Sequence, residues 1–204
     1  MSCLQILAKA PIPGQVKTRM QPHLNPLECV QLHKSLLHKT LQTTTRSNAK
    51  TIQLWCHPNT QHVFFTQMQK RFPLELISQR GQDLGERMLT AINQGLLTHN
   101  AIILIGSDCP FFSADYLNKA FQLLQSERDL VLGPAKDGGF VLLGANRYLP
   151  PDFFKGVIWG ENTALEKTLK RVDHYHFRYE TLQPLQDIDR PEDLRYFQPT
   201  TSYK

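Results

Sequence analysis

The sequence predicts an α/β fold with a mainly parallel sheet, and three features indicate this class. Apolar runs of strand length alternate with helical patterns along nearly the whole chain. The run Ala101–Ile105 is continuously apolar, which is typical of a central strand covered on both faces. The segment Asp137-Gly138-Gly139 lies between two strand candidates and indicates a small antiparallel piece in the sheet.

Seven segments have the length and apolar character of strands. They are Cys3–Ala8, Thr51–Cys56, Leu74–Ser78, Ala101–Ile105, Leu130–Leu132, Phe140–Leu143 and Tyr175–Tyr179. On the last of them, His174 and His176 are expected to alternate along one strand. A solvated or satisfied pair is the favoured interpretation of these two histidines, ahead of a metal site, because no H-E-x-x-H motif accompanies them.

Four helices have recognisable starts. The segment Asn25–Glu28 offers an N-cap, a proline in the first turn and a glutamate three residues after the cap. Ser113 can cap a second helix, Thr163–Glu166 has the capping-box spacing for a third that ends near Val172, and Pro191 begins a short final helix. The first helix is expected to continue a buried stripe of Leu27, Val30, Leu37 and Leu41.

Composition excludes several classes of protein. The chain has 204 residues, which fits one domain spanning residues 1–204, and 41% of them are hydrophobic, too many for a disordered chain. The net charge of +5 comes from dispersed cations with no block longer than a pair, which argues against nucleic acid as the partner. No apolar stretch approaches the ~20 residues of a membrane span, so no membrane role is expected.

The cysteines indicate the compartment. Cys3, Cys29, Cys56 and Cys109 are dispersed and form no C-x-x-C pair, and the N-terminus shows no secretory leader. Free thiols in a reducing cytoplasm are therefore expected.

Charged residues and glycines follow the predicted strands, and this placement predicts the site. Ligands of open α/β sheets bind beyond the carboxyl ends of the strands. The loop after the first strand carries Lys9, Gly14, Lys17 and Arg19. Together with the charged loops that follow the other strands, this combination favours a phosphate-binding loop over a turn with solvated lysines.

Carboxylates in the later loops predict a metal site. Asp108 ends the fourth strand before a proline, where a carboxylate is well placed to hold Mg²⁺, although a turn-closing or capping role remains an alternative. Asp187 and Asp189 lie on an extended segment and need not face the same way. One of them is expected to complete the metal site while the other caps the final helix.

Five segments together resemble one known family. They are Ala8–Arg19, Gln82–Met88, Ile105–Pro110, Gly133–Phe140 and Asp187–Leu194, and they occur in order along essentially the whole chain. The chain is similar in these segments to the glycosyltransferase-A-type (GT-A, nucleotide-diphospho-sugar transferase-like) proteins related to 2-phospholactate guanylyltransferase and the molybdenum-cofactor nucleotidyltransferases. The resemblance implies a Rossmann-like fold that binds a nucleoside di- or triphosphate, or a nucleotide-sugar, with Mg²⁺ or Mn²⁺.

The resemblance also implies roles for individual residues. The nucleotide would contact Lys9, Gly14, Lys17, Arg19, Asp83 and Gly85. The metal would be held by Asp108, Asp187 and Asp189, with Asp108 and Asp137 as catalytic residues. The acceptor would lie near Gly138, Gly139 and Trp159.

The leading functional prediction is a metal-dependent transferase that uses a nucleotide or nucleotide-sugar donor, with glycosyl transfer to a small-molecule acceptor as the favoured reaction. Asp137 and Glu161 are the candidates for a general base. Nucleotidyl transfer to a phosphorylated small molecule and a non-catalytic nucleotide-binding module are the alternatives. The aromatic pair Phe153-Phe154 is expected to be exposed and leaves room for a homodimer.

Overall fold

A computed structural model describes residues 1–197 and shows a seven-stranded mixed sheet with helices on both faces. The strands are β1 (Ser2–Lys9), β2 (Thr51–His57), β3 (Glu75–Ser78), β4 (Ala101–Gly106), β5 (Leu130–Pro134), β6 (Phe140–Ala145) and β7 (Tyr179–Thr181). The predicted α/β class is therefore confirmed, and six of the seven predicted strands are present with bounds shifted by a few residues at most.

The strand order is β3-β2-β1-β4-β6-β5-β7. β1 pairs in parallel with β2 on one side and with β4 on the other. The strands up to β3 are therefore added on one side of β1 and the later strands on the other, which makes the position between β1 and β4 the switch point of the sheet. β6 is antiparallel to both of its neighbours, and it follows β5 through the turn at Asp137–Gly139, as the two glycines predict. A crevice beyond the carboxyl ends of β1 and β4 is consequently the position where an open α/β sheet binds its ligand.

The helices are α1 (Pro26–Thr44), α2 (Val63–Arg71), α3 (Leu84–Leu96), α4 (Ala114–Gln125) and α5 (Ala164–His174), with 3-10 helices at Thr18–Met20 and Pro191–Tyr196. Side chains of α1, α2 and α4 pack in one core cluster on one face of the sheet, and those of α3 and α5 pack in a second cluster on the other. Asn25 and Ser113 cap α1 and α4 as predicted, the first through a complete capping box. Within residues 1–197, no helix has the length and apolar character needed to cross a membrane.

Three local predictions are wrong. Tyr175 ends α5 instead of opening a strand, so His174 lies in the helix and His176 in the following turn, at φ 55°. The last strand starts only at Tyr179 because β5 offers its free edge from Leu130 onward. Leu27 is 67% exposed, since α1 turns its first residues away from the core.

Two further corrections concern the C-terminal half. Thr163 makes no capping hydrogen bond, because its hydroxyl donates to Glu161 instead, 3.4 Å away. Phe153 and Phe154 are buried, in edge-to-face contact with ring centroids 5.0 Å apart, so they cannot support the predicted self-association.

Candidate active site

A cavity of about 610 Å³ opens beyond the carboxyl ends of β1 and β4. Eleven of the residues predicted for the site line it: Lys9, Lys17, Arg19, Asp83, Asp108, Asp137, Gly139, Trp159, Glu161, Asp187 and Asp189. Gly14, Gly85 and Gly138 do not line it. Residues from distant segments of the sequence therefore converge on one surface, as the order of the strands predicts.

The basic loop after β1 is fastened to the rest of the site by Lys17. The Lys17 ammonium donates a hydrogen bond to the Ile188 carbonyl at 2.5 Å and lies 2.9 Å from Asp108 Oδ1. Only 3% of the Lys17 side-chain surface is exposed. Burial acts to raise the pKa of Asp108, but the attraction of Lys17 and His33 outweighs it and holds that pKa below its usual value.

Arg19 is the more accessible cation of this loop. Its guanidinium donates to Asp189 Oδ2 at 2.6 Å and more weakly to the Gly160 carbonyl at 3.4 Å, and 43% of its side chain is exposed. Lys9 is also exposed at the end of β1, and it forms no ion pair with any residue of the described range 1–197. This loop thus gives the cavity two accessible positive charges, and Arg87 of α3, which is half-buried and donates to the Gly81 carbonyl at 3.0 Å, lines the cavity as well.

The carboxylates of the C-terminal segment face the cavity because the residue between them is anchored. Ile188 is fully buried in a small cluster with Met20 and Leu36, and its backbone N–H donates to the Asp108 carbonyl at 2.9 Å. Residues two apart on an extended segment lie on the same side, so the expectation that one of the two carboxylates turns elsewhere is wrong, and Asp187 and Asp189 both line the cavity. Neither caps the final helix, since Asp193 accepts the backbone N–H groups of residues 189 and 190.

Asp187 carries a strongly perturbed carboxyl group. Burial raises its pKa to about 6, and repulsion from Asp137, Asp189 and Asp108 adds to the shift. A carboxylate that is desolvated and surrounded by like charges favours an added cation. Asp108 and Asp187 therefore fit a divalent cation such as Mg²⁺, which binds through one or two carboxylates and completes its shell with water and substrate phosphates.

This arrangement is not a self-sufficient metal cage. Across residues 1–197, no group of three or more His, Cys, Asp or Glu side chains is arranged to hold a metal ion. Asp189 is committed to Arg19, which leaves Asp108 and Asp187 of the three predicted metal ligands. Such a site would need phosphate oxygens from a bound nucleotide to complete its coordination.

The turn between β5 and β6 supports the segment that crosses the cavity. Asp137 Oδ1 accepts the backbone N–H of Gly139 at 2.9 Å, which fixes the carboxylate at the cavity wall. Gly138 has φ 91°, and a Cβ atom there would lie 2.1 Å from the Asn162 carbonyl oxygen. Only glycine allows this close approach, through which the turn positions the segment from Trp159 to Asn162.

The start of α3 provides the opposite wall. Asp83 caps this helix by accepting the Glu86 backbone N–H at 2.8 Å. Gly85 lies in the first turn, and a Cβ atom there would come within 3.0 Å of the Trp159 ring. The indole also contacts Phe140 edge-to-face, with centroids 6.1 Å apart. Asp83 and Gly85 thus shape the helix end, and Gly85 makes room for an aromatic wall in the cavity.

Several residues that line the cavity were not predicted, and two of them are polar side chains that bond to the backbone at the end of β1. His33 on α1 is buried, and its Nε2 lies 2.9 Å from the Lys9 carbonyl oxygen; burial lowers its pKa, against the opposing effect of Asp108. Gln79 donates from Nε2 to the carbonyls of Ala8 and Trp55. A polar residue within the apolar stripe of α1 was a signal for His33, whereas nothing in the sequence singles out Gln79.

Comparison with solved structures identifies the fold. A Desulfovibrio desulfuricans G20 protein described as a candidate nucleotide-diphospho-sugar transferase superposes with a TM-score of 0.84 at 27% identity, over 99% of this chain and 89% of that one. CMP-2-keto-3-deoxy-manno-octonic acid synthetase, solved with CTP, matches in fold at 8% identity, with a TM-score of 0.61 and coverage of 96% and 95%. A Mycobacterium tuberculosis H37Rv protein solved with manganese matches in fold at 12% identity, with a TM-score of 0.54 and coverage of 96% and 97%.

These similarities define the class: the chain has the nucleotide-diphospho-sugar transferase-like fold shared with nucleotidyltransferases, and the predictions of that fold and of a transferase-type enzyme are confirmed. A model of the DUF2064 family, whose description is "Uncharacterized protein conserved in bacteria", matches residues 40–161. The chain therefore belongs to the DUF2064 family. No curated protein matches the sequence.

Proposed function

We propose that this protein transfers a glycosyl group from a nucleotide-sugar to a small-molecule acceptor, with a divalent cation bound at Asp108 and Asp187. The observation that carries the proposal is the convergence of accessible cations and crowded carboxylates in one cavity at the switch point of the sheet. A diphosphate complements both features, because its oxygens can accept from the cations while bridging to a metal.

The chain's own residues would act mainly by positioning and by electrostatic stabilisation. Lys9 and Arg19 would bind the diphosphate and offset the charge that develops on it when the bond to the sugar breaks. Asp108 and Asp187 would hold Mg²⁺ or Mn²⁺, which supplies Lewis-acid stabilisation of the leaving diphosphate when it is bound. Arg19 would exchange its present partner, Asp189, for phosphate oxygens.

The acceptor would bind between the turn at Asp137 and the aromatic wall formed by Phe140 and Trp159. Its hydroxyl oxygen would form the new bond to the anomeric carbon, and its proton would pass to a carboxylate. Asp137, fixed at the cavity wall by the Gly139 N–H, is the better candidate for this base than Glu161, which pairs with Lys167 at 3.9 Å. The nucleoside diphosphate would leave with the bonding electron pair.

Nucleotidyl transfer is the second candidate, because the same charges suit a triphosphate and the fold is shared with a synthetase solved with CTP. In that reaction a phosphate oxygen of the acceptor attacks the α-phosphorus and pyrophosphate leaves.

The test is product analysis with a panel of nucleotide-sugars and nucleoside triphosphates, with and without Mg²⁺, followed by mass spectrometry. We expect metal-dependent release of a nucleoside diphosphate, at least ~100-fold slower in Asp108→Asn because a charged ligand of the metal that stabilises the leaving group is lost. Asp173→Asn changes an exposed carboxylate of α5 outside the cavity and serves as the matched control. Release of pyrophosphate would instead identify nucleotidyl transfer, and binding without turnover of any donor would contradict both reactions.

A further inference from the structure

Two cations of the loop after β1 have very different surroundings, although only one residue separates them in sequence. The Lys17 side chain is 3% exposed and the Arg19 side chain is 43% exposed. Lys17 directs its ammonium to two groups of the protein itself, the Ile188 carbonyl and Asp108 Oδ1. Arg19 holds one carboxylate at the cavity wall and keeps much of its guanidinium open to the cavity.

The backbone directs the Lys17 side chain inward. Lys17 has φ 51° and ψ 35°, a left-handed conformation that is uncommon for a residue with a side chain. Its carbonyl accepts the Met20 N–H at 2.9 Å and the Cys29 thiol at 3.4 Å, which fastens the turn to the 3-10 helix and to α1. A strained residue held by its surroundings in this way is typical of a functional site.

The pair with Lys17 determines which oxygen of Asp108 is available. Asp108 Oδ1 is buried and accepts no well-aligned hydrogen bond within residues 1–197, so its compensation is the Lys17 charge 2.9 Å away. The Asp108 side chain as a whole is 45% exposed and lines the cavity. The other oxygen, Oδ2, is therefore the one directed toward a ligand.

We propose that Lys17 is a positioning residue: it holds Asp108 with one oxygen facing the cavity and joins the β1 loop to the Asp187–Asp189 segment, while Arg19 and Lys9 contact the phosphates. This inference rests on the proposed function and refines it, because the family resemblance implies phosphate contact for Lys17 and Arg19 alike. The Lys17 ammonium already has two partners in Asp108 and the Ile188 carbonyl, and with 3% of its side chain exposed it offers a phosphate far less access than Arg19 does.

The experiment combines a double-mutant cycle with a series of ligands that differ in phosphate number. Titration calorimetry in Mg²⁺ measures the affinities of the mono-, di- and triphosphates of uridine, cytidine, guanosine and adenosine for the wild type, Lys17→Met, Asp108→Asn and the double variant. Arg19→Gln is measured alongside, and Arg46→Gln, an exposed arginine beyond α1, is its control. Near-UV circular dichroism verifies the fold of each variant, and Lys17→Arg replaces Lys17→Met if the latter does not fold.

Three results are expected. Arg19→Gln weakens di- and triphosphate binding ~10-fold or more, with a smaller effect on the monophosphate, because a charge-assisted hydrogen bond is lost. Lys17→Met weakens the three ligands in the same proportions as Asp108→Asn does, and it causes no further change in the Asp108→Asn background, because Lys17 acts through Asp108. A Lys17→Met effect whose dependence on phosphate number differs from that of Asp108→Asn, or that persists in full when Asp108 is Asn, would overturn the inference.

A ligand-free measurement separates this inference from the proposed function. If the wild type binds no nucleotide, the proposed function fails. Urea unfolding of the same four proteins still tests the pair, since contacting charges give non-additive changes in the free energy of unfolding. Additive changes in that cycle would contradict the positioning role of Lys17 whatever the protein binds.

Discussion

The Asp187→Asn substitution is expected to stabilise the ligand-free protein at neutral pH while removing a proposed metal ligand. In the folded chain, burial and the neighbouring carboxylates raise the Asp187 pKa from its ordinary 3.8 to about 6. Each pKa unit corresponds to about 1.4 kcal/mol, so ionised Asp187 costs roughly 3 kcal/mol before solvent screening is considered. With screening at the open cavity, we expect a gain of about 1–3 kcal/mol in the free energy of unfolding.

The sign and pH window of this effect follow from proton linkage. Between pH 3.8 and about 6 the folded protein holds a proton on Asp187 that the unfolded chain has lost, so the contribution of this group to stability falls as pH rises. Above about pH 6 both states are ionised and the contribution is constant. The stability difference between Asp187→Asn and the wild type should therefore grow from pH 4 to pH 6 and level off by pH 7.

Urea unfolding at pH 4, 5, 6, 7 and 8, without divalent cation, measures this difference. Asp173→Asn, which changes an exposed carboxylate of α5, is the control and should be neutral within about 0.5 kcal/mol. Addition of Mn²⁺ with a bound nucleotide should stabilise the wild type more than Asp187→Asn. Equal or lower stability of Asp187→Asn at pH 7 would refute the argument that Asp187 is desolvated and crowded by like charges.

Three further predictions concern the framework of the site. Gly138→Ala should lower the free energy of unfolding by about 2 kcal/mol or more, because Gly138 has φ 91° and the added Cβ would collide with Asn162. Gly14→Ala, which has open space around it, should cost only the backbone strain of about 1 kcal/mol. Urea unfolding compares the two variants, and equal losses would contradict the close approach at Gly138. Asp129→Asn should cost about 2–4 kcal/mol at pH 7, because a buried carboxylate accepts the backbone N–H and guanidinium of Arg178. Although burial opposes it, this pairing holds the Asp129 pKa below its usual value, so the loss should shrink as pH falls through that pKa, and a pH-independent loss would argue against the charge as its cause. The four cysteines should resist a thiol reagent at pH 7 in the folded protein and should all react in urea. Each thiol is buried, and burial raises the pKa of three of them to about 12. Rapid labelling of the folded chain would contradict this burial.

The elements whose sequence signals are local could be predicted from the sequence. The apolar run of β4, the capping box at Asn25 and the glycine turn at Asp137 each depend on neighbouring residues, and the structure confirms each of them. The convergence of the strand-end loops could also be predicted, because parallel strands bring their carboxyl ends to one edge. The start of β7 was missed because pairing with β5, and not its own pattern, selects Tyr179.

Partner choice within the site could not be predicted from residue types. The sequence places Lys17 and Arg19 in one loop but does not show that one ammonium turns inward to Asp108 while the guanidinium stays at the cavity wall. That difference depends on the left-handed backbone at Lys17 and on Ile188, which arrives from the other end of the chain. His33 was not predicted as a site residue for the same reason, because its partner, the Lys9 carbonyl, lies on another element.

The central claim is that a divalent cation and a nucleotide diphosphate share the cavity beyond β1 and β4. Its most direct test is the anomalous scattering of Mn²⁺ in crystals grown with the best-binding nucleoside diphosphate. The account predicts one strong manganese peak between the carboxylates of Asp108 and Asp187, in contact with the diphosphate, and with Arg19 turned to the phosphates. A nucleotide bound elsewhere, or a manganese peak that touches neither carboxylate, would contradict it.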